Sequence, residues 1–165
     1  MPEPPAIVVG VDGTPASEAA LVFALREGSR RGGAVEVVTA WAFAPPYEEV
    51  ATPESVEQTR AQAERTQDEM VTAALRRVDV PPVVSRSVVQ GAAGPVLLEA
   101  GRDADYLVVG SAHSKNRAAA LFLGSVSQYC VRHAPIPVMV VPLPARLAKH
   151  RTKLEEIDNK DSMSL

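Results

Sequence analysis

Two kinds of hydrophobic pattern alternate along the chain. Short Val-rich runs form near-continuous apolar segments, which are typical of strands buried on both faces of a parallel sheet. The longer segments between them are rich in alanine and poor in β-branched residues, which favours helices. The predicted strands are residues 6–11, 35–41, 82–89, 105–110 and 136–141. Strands that alternate with helices require right-handed crossover connections, so the pattern predicts an α/β fold with a parallel sheet.

The ends of the predicted helices are marked by capping residues. Thr14 and Thr52 are acceptable N-caps, and each is followed by a proline at the first helical position, where its missing N–H costs nothing. The pair Gly32-Gly33 ends the first helix. The predicted helices span residues 15–31, about 53–77, about 94–102 and 124–134. The sequence therefore predicts the order β-α-β-α-β-α-β-α-β.

Composition and charge narrow the class of protein. The 165 residues match one domain, which we place at residues 1–144, followed by a polar segment at 145–165. We expect that segment to be a flexible tail, with a short partner-docking helix as the alternative. A net charge of −3 argues against binding nucleic acid through bulk charge, and one cysteine excludes a disulfide framework. The sequence contains no secretory signal and no apolar run of about 20 residues, so we expect a cytoplasmic protein without a membrane span.

The loop after the first predicted strand is the first candidate for a ligand site. In open parallel sheets, ligands bind beyond the carboxyl ends of the strands, where the strand order reverses. Gly10 and Asp12 stand at such an end, and a carboxylate flanked by glycines is a plausible contact for ribose or a metal. The alternative is that Asp12 only caps the helix or opens a turn. The residues alone leave both interpretations open.

The loop after the fourth predicted strand has features of an anion site. It begins at Gly110, contains the cations Lys115 and Arg117, and ends at Gly124-Ser125 where a helix begins. Backbone N–H groups at a helix N-terminus, with a hydroxyl beside them, suit phosphate. A glycine-rich loop of this kind is a weak signal for a nucleotide by itself.

Three longer stretches of the sequence are more informative than the two loops alone. They are IVVGVDGTPASEAAL, VVQGAAGPVLLEAGRDADYLVVGS and LFLGSVSQYCVRHAPIPVMVVP. With them the chain resembles the universal stress protein family over roughly residues 5–142. The resemblance implies an open five-stranded parallel sheet of order 3-2-1-4-5 with helices on both faces, the Rossmann-like fold of that family. It also implies binding of ATP or another adenine nucleotide, usually by a dimer.

The resemblance assigns roles to individual residues. ATP-binding members carry Gly-x2-Gly-x9-Gly-[Ser/Thr], whose first glycine corresponds to Gly110. The middle glycine is missing, because position 113 is histidine and the nine-residue spacer leads back to Ser114. Lys115 and Arg117 would offset this loss by contributing charge to phosphates. The implied site has Gly10 and Asp12 at the ribose, Asp12 also holding Mg²⁺ through water, and Ala40 at the adenine. The residues around the phosphates would be Gly110, His113, Ser114, Gly124, Ser125 and Val126.

The resulting functional hypothesis is a dimeric stress-response module that binds an adenine nucleotide. The alternative is a member that has lost nucleotide binding and acts as a protein-interaction module. An enzyme is disfavoured because no general base or nucleophile is evident, and the sequence has no Walker A motif and no HExxH motif. We expect at most slow ATP hydrolysis. Cys130 and His133 stand at i,i+3, and we interpret them as a buried thiol and a helix-end cation rather than a nucleophile pair.

The last predicted strand is the expected dimer contact. It runs from Ile136 to Val141 without a charged residue, and no later segment has strand character. An apolar, uncharged sheet edge invites pairing with another chain. The alternative is that the tail folds back and covers this edge. The family resemblance favours the homodimer.

Overall fold

The computed structural model describes residues 4–42, 52–111 and 123–143. Its strands are β1 (Ala6–Gly10), β2 (Ala34–Trp41), β3 (Val83–Gln90), β4 (Tyr106–Gly110) and β5 (Val138–Val141). Its helices are α1 (Pro15–Arg31), α2 (Pro53–Leu75), α3 (Ala93–Ala100) and α4 (Ser125–His133). All neighbouring strands are parallel, and their order is β3-β2-β1-β4-β5. The predicted α/β fold and its strand order are confirmed.

The predicted helix caps are also confirmed. The Thr14 hydroxyl accepts from the Ser17 N–H at 3.2 Å, and the Thr52 hydroxyl accepts from the Ser55 N–H at 3.1 Å. Gly32 ends α1 in the left-handed region with φ of 66°. The predicted boundary of the last strand is two residues too early, because Pro137 has no N–H to contribute to the ladder.

Helices cover both faces of the sheet and form two separate hydrophobic cores. On one face, α1 and α2 pack over side chains that include Val9, Val37 and Val108. On the other face, α3 and α4 pack over side chains that include Val38 and Leu107. Burial on both faces is therefore observed for the central strands.

The edge strand β3 is not buried on both faces as the central strands are. Val83 is 75% exposed and Val89 is 39% exposed, although the sequence of β3 is as rich in valine as the central strands. The reason is position, since β3 has a neighbour on one side only. Arg86 in the middle of β3 forms an ion pair with Asp68 of α2 at 2.5 Å, and a charge on an edge strand discourages pairing with other chains.

A buried amide joins α2 to the sheet. Gln67 is 3% exposed, and its Nε2 lies within hydrogen-bond distance of three oxygens of β2 and β3. These oxygens are Val37 O at 3.1 Å, Thr39 Oγ1 at 3.0 Å and Ser87 O at 2.9 Å. A buried amide is stable only when such partners are present, so this contact fixes the position of α2 along β2.

Replacement of this amide should destabilise the fold. We expect Gln67→Ala to lower the free energy of unfolding by about 2–4 kcal/mol, because it opens a cavity and removes a donor from buried oxygens. Gln58→Ala is the matched control, since Gln58 lies exposed on the same helix, and its effect should stay within about 0.5 kcal/mol. Urea unfolding of both variants measures the difference. Equal decreases in the free energy of unfolding of the two variants would show that the buried amide does not anchor α2.

Candidate functional site

A cleft lies between the carboxyl ends of β1 and β4, which is the point where the strand order reverses. Its volume is about 90 Å³. The first turns of α1, α3 and α4 and the end of β2 complete its walls. The lining residues are Gly10, Val11, Asp12, Thr14, Ala16, Ser17, Val38, Ala40, Ala93, Leu97, Val109, Gly110, Ser111, Val126 and Ser127. This is the position that the sequence predicted for a ligand site.

The turn between β1 and α1 is fixed by Asp12. Its Oδ1 accepts hydrogen bonds from the Thr14 N–H at 3.0 Å and from the Thr14 hydroxyl at 2.6 Å. Gly13 between them has φ of 86°, a conformation that favours glycine. Asp12 therefore opens the turn, as one interpretation of the sequence held, and it also lines the cleft. The two interpretations that the sequence left open are compatible.

Ser17 is a cleft residue that the sequence analysis missed. It is 5% exposed, and its hydroxyl donates to Thr14 O at 2.9 Å and accepts from the Asp12 N–H at 3.3 Å. The hydroxyl thus joins the first turn of α1 to the end of β1. Its position three residues after the N-cap Thr14 is the sequence feature from which this role could have been predicted.

The end of β2 presents backbone groups to the cleft. Val38 O accepts from the Val11 N–H at 2.9 Å, so the backbone groups of Val38 are directed towards β1. Alternate residues of a strand direct these groups to the same neighbour, so Ala40 directs its N–H and C=O to the β1 side as well. β1 ends at Gly10, which is level with Val38. The Ala40 amide and carbonyl therefore lie beyond the end of β1, where Ala40 lines the cleft.

The N-terminus of α4 forms the opposite wall. Gly124 is the N-cap residue, with φ of −66° and ψ of 166°. Its carbonyl accepts from the Ser127 hydroxyl at 3.0 Å and from the Gln128 N–H at 2.8 Å. Val126 and Ser127 line the cleft, and Ser127 is 2% exposed. The first N–H groups of a helix carry a partial positive charge, so this wall favours an anion.

The two glycines at the strand ends have a packing role that the sequence interpretation did not foresee. A Cβ on Gly10 would lie 2.7 Å from Cδ1 of Leu97. A Cβ on Gly110 would lie 2.6 Å from the backbone C and O of Ala16. The interpretation that the glycine at position 10 is there to admit a ligand is therefore incomplete. The absence of a side chain at each position lets a helix pack closely against the strand end.

The predicted site residues fall into three groups. Gly10, Asp12, Ala40, Gly110 and Val126 line the cleft together. Gly124 and Ser125 lie at the start of α4 beside it without being lining residues. His113 and Ser114, with Lys115 and Arg117, lie outside the described residues. The contribution of α3, which provides Ala93 and Leu97, was not predicted from the sequence.

The interpretation of Cys130 as a buried apolar thiol agrees with its position. Cys130 is 0% exposed within the core beneath α3 and α4, and burial raises the pKa of its thiol. His133 is exposed at the end of α4, where its Nδ1 lies 2.9 Å from Tyr129 O. A thiol with a raised pKa is a poor nucleophile at neutral pH.

Across residues 4–42, 52–111 and 123–143, no group of three or more His, Cys, Asp or Glu side chains is placed to hold a metal ion. Within the same ranges, no helix is both long and apolar enough to cross a membrane.

The chain matches the Universal stress protein family over residues 5–142. A universal stress protein of Mycobacterium tuberculosis is 34% identical over 139 residues, which cover 84% of this chain and 46% of that protein. The chain thus spans about half the length of this curated relative.

Solved structures show the same fold. A universal stress protein in complex with cAMP superposes with a TM-score of 0.59 at 23% identity, covering 85% of this chain and 98% of that one. A universal stress protein family protein of Arabidopsis thaliana with AMP bound gives a TM-score of 0.57 at 19% identity, covering 87% and 94% of the two chains. The strand order, the position of the cleft and the family match over nearly all of the described residues lead to one assignment: this chain belongs to the universal stress protein family.

Proposed function

We propose that the cleft binds an adenine nucleotide and that the protein acts as a regulatory module in the response to stress. The observation that carries the proposal is the convergence of three groups on one cleft. They are the backbone of Ala40, the carboxylate of Asp12 and the N-terminus of α4. The two relatives whose structures contain cAMP and AMP support an adenine nucleotide as the ligand.

The end of β2 is the proposed adenine contact. The Ala40 N–H and C=O provide one donor and one acceptor, which match the N1 acceptor and the N6 amino donor of adenine. Val38, Leu97 and Val109 give the cleft apolar walls on which a base can lie. A backbone N–H and C=O in this arrangement can pair with adenine but not with guanine, because guanine has a donor at N1 and an acceptor at O6.

Asp12 is the proposed ribose contact. One carboxylate oxygen, Oδ1, is engaged by Thr14, which fixes the orientation of the side chain. The second oxygen is then positioned to accept from a ribose hydroxyl. Because Asp12 is anchored before a ligand arrives, little conformational entropy is lost on binding.

The phosphate end of the ligand is proposed to lie against α4 and the end of β4. Ser111 and Ser127 line this part of the cleft, and Gly124 and Ser125 provide the first N–H groups of the helix. His113 and Ser114 are proposed to contact the phosphates from the loop that follows β4. Mg²⁺ would bind chiefly to the phosphates, with Asp12 reaching it through water, because the described residues provide no cluster of carboxylates.

The wider proposal concerns assembly, location and turnover. We propose a homodimer formed through β5, a cytoplasmic location and no catalytic turnover beyond slow ATP hydrolysis. β5 forms an edge of the sheet, and all four of its residues are apolar. The alternative function is a protein-interaction module that binds no nucleotide. The absence of binding in a nucleotide titration would support it.

Substitution of Asp12 separates its two roles. Asp12→Ala should weaken nucleotide binding by about 1–3 kcal/mol, because a charged hydrogen bond to ribose is lost. It should also destabilise the fold, because Thr14 loses its acceptor. Asp12→Asn keeps an oxygen for Thr14 and removes the charge, so it should restore stability while affinity stays reduced.

Titration calorimetry and urea unfolding of both variants provide the two readouts. If Asp12→Ala loses stability but binds nucleotide as tightly as the wild type, Asp12 serves the turn alone and the ribose assignment fails.

A further inference from the structure

The same capping sequence stands at the start of two helices. Thr14-Pro15-Ala16-Ser17 begins α1, and Thr52-Pro53-Glu54-Ser55 begins α2. In both helices the threonine is the N-cap, the proline is the first helical residue, and the serine N–H donates to the threonine hydroxyl. Because the two sequences can form the same hydrogen bonds, a difference between the two caps points to a further role for one of them.

The cap of α2 is closed on itself. The Ser55 hydroxyl accepts from the Thr52 N–H at 3.0 Å and donates to the Thr52 carbonyl at 2.9 Å. The Thr52 hydroxyl donates to the Ser55 hydroxyl at 3.1 Å. This is a capping box, in which each residue satisfies a backbone group of the other. Neither Thr52 nor Ser55 is a lining residue of the nucleotide cleft.

In the cap of α1, the corresponding hydrogen bonds go to Asp12. The Ser17 hydroxyl accepts from the Asp12 N–H at 3.3 Å. The Thr14 N–H and the Thr14 hydroxyl both donate to Oδ1 of Asp12, at 3.0 Å and 2.6 Å. The backbone and the carboxylate of Asp12 are therefore held by the two residues that in α2 bond only to each other.

Thr14 and Ser17 line the cleft, but their hydroxyl protons are already engaged. The Thr14 hydroxyl donates to Asp12, and the Ser17 hydroxyl donates to the Thr14 carbonyl at 2.9 Å. Neither hydroxyl is thus free to donate to a ligand. Asp12 itself is exposed, and an unrestrained exposed carboxylate would sample several rotamers and lose that freedom when a ligand binds. The effect of the two residues on a ligand would therefore be exerted through Asp12.

We infer that Thr14 and Ser17 are positioning residues that hold Asp12 in the rotamer that contacts ribose, and that they thereby set a preference of the cleft for nucleotides that carry ribose hydroxyls. This inference rests on the nucleotide binding proposed above. It extends that proposal by assigning discrimination at the sugar to the cap of α1.

Titration calorimetry with AMP and ATP, each compared with its 2′,3′-dideoxy analogue, tests the inference. The measured quantity is the sugar preference, defined as the dissociation constant of the dideoxy analogue divided by that of the ribonucleotide. We expect a preference of about tenfold or more for the wild type, because a charged hydrogen bond is lost with the hydroxyls. Thr14→Val and Ser17→Ala should each lower it to about threefold or less, since Asp12 is no longer held. Thr14→Ser keeps the hydroxyl and should retain the wild-type preference.

The cap of α2 provides the matched controls. Thr52→Val and Ser55→Ala remove the same hydroxyls from the same capping sequence, so they reproduce the loss of a helix cap without touching Asp12. Their sugar preference should stay within about twofold of the wild-type value. In an Asp12→Ala background, where the carboxylate is absent, Thr14→Val should cause no further change in the preference.

The outcomes separate the inference from the proposed function. Wild-type sugar preference in folded Thr14→Val and Ser17→Ala would overturn the inference and leave nucleotide binding intact. If Thr14→Val does not fold by circular dichroism, Ser17→Ala, which keeps the N-cap threonine, decides. An equal loss of preference in Thr52→Val would show that helix capping in general, and not the hold on Asp12, is responsible. A wild type that binds AMP or ATP without a sugar preference would refute both the inference and the ribose contact, and a wild type that binds neither would overturn the proposed function as well.

Discussion

Gly110→Ala is expected to cost about 3 kcal/mol of stability. The added Cβ would lie 2.6 Å from the backbone C and O of Ala16 and 2.9 Å from the Ser17 nitrogen. These atoms belong to the first turn of α1, so the contact is relieved only if the whole helix moves away from β4. Because that turn also lines the cleft, the same movement should weaken nucleotide binding.

Gly32→Ala is the control for this prediction. Gly32 has φ of 66°, and nothing lies within 4 Å of the position of its Cβ. Its substitution therefore introduces backbone strain without a steric clash, at a cost of about 1–2 kcal/mol. Urea unfolding of the two variants compares the effects. A Gly110→Ala protein no less stable than Gly32→Ala would contradict the close packing of α1 on β4.

Ala93→Phe is expected to abolish detectable nucleotide binding while the fold is retained. Ala93 is the first residue of α3 and lines the cleft, and it is only half-buried, so a phenyl ring can extend into the space that a ligand would occupy. The preceding residue provides the matched control. Ala92 is exposed and is not a lining residue, so Ala92→Phe adds the same ring outside the cleft and should bind as the wild type does.

Circular dichroism and titration calorimetry of both variants check this prediction. Unchanged affinity in folded Ala93→Phe would place the nucleotide elsewhere on the protein. Loss of binding in both variants would indicate that the start of α3, rather than the space in the cleft, is what binding requires.

The fold could be predicted from the sequence because its signals are local and mutually consistent. Thr14 followed by Pro15 and the later Gly32 define α1 within the segment itself, and the structure has the same bounds. The exposure of β3 could not be predicted in the same way. Val83 and Val89 resemble the valines of β1, and only the strand order makes their strand an edge.

The candidate site was predictable to the extent that it lies at the ends of strands. Asp12 and Gly110 follow from the rule for open parallel sheets, and both line the cleft. The contribution of α3 was not predictable, because Ala93 and Leu97 are ordinary helix residues that reach the cleft only through packing. Leu97 and Gly10 are far apart in the sequence and come into close contact only through tertiary packing. No local sequence pattern could have predicted this contact.

The most direct test of the central claim, that the cleft binds an adenine nucleotide, is isothermal titration of the full-length protein with AMP, cAMP, ADP and ATP, the last two with and without Mg²⁺. We expect saturable binding of at least one of them at one site per chain, and no binding of GMP, which serves as the control. If none of the adenine nucleotides binds to the folded protein, the claim that the cleft binds an adenine nucleotide is contradicted. If GMP binds equally well, the proposed recognition of adenine by the backbone of Ala40 is contradicted.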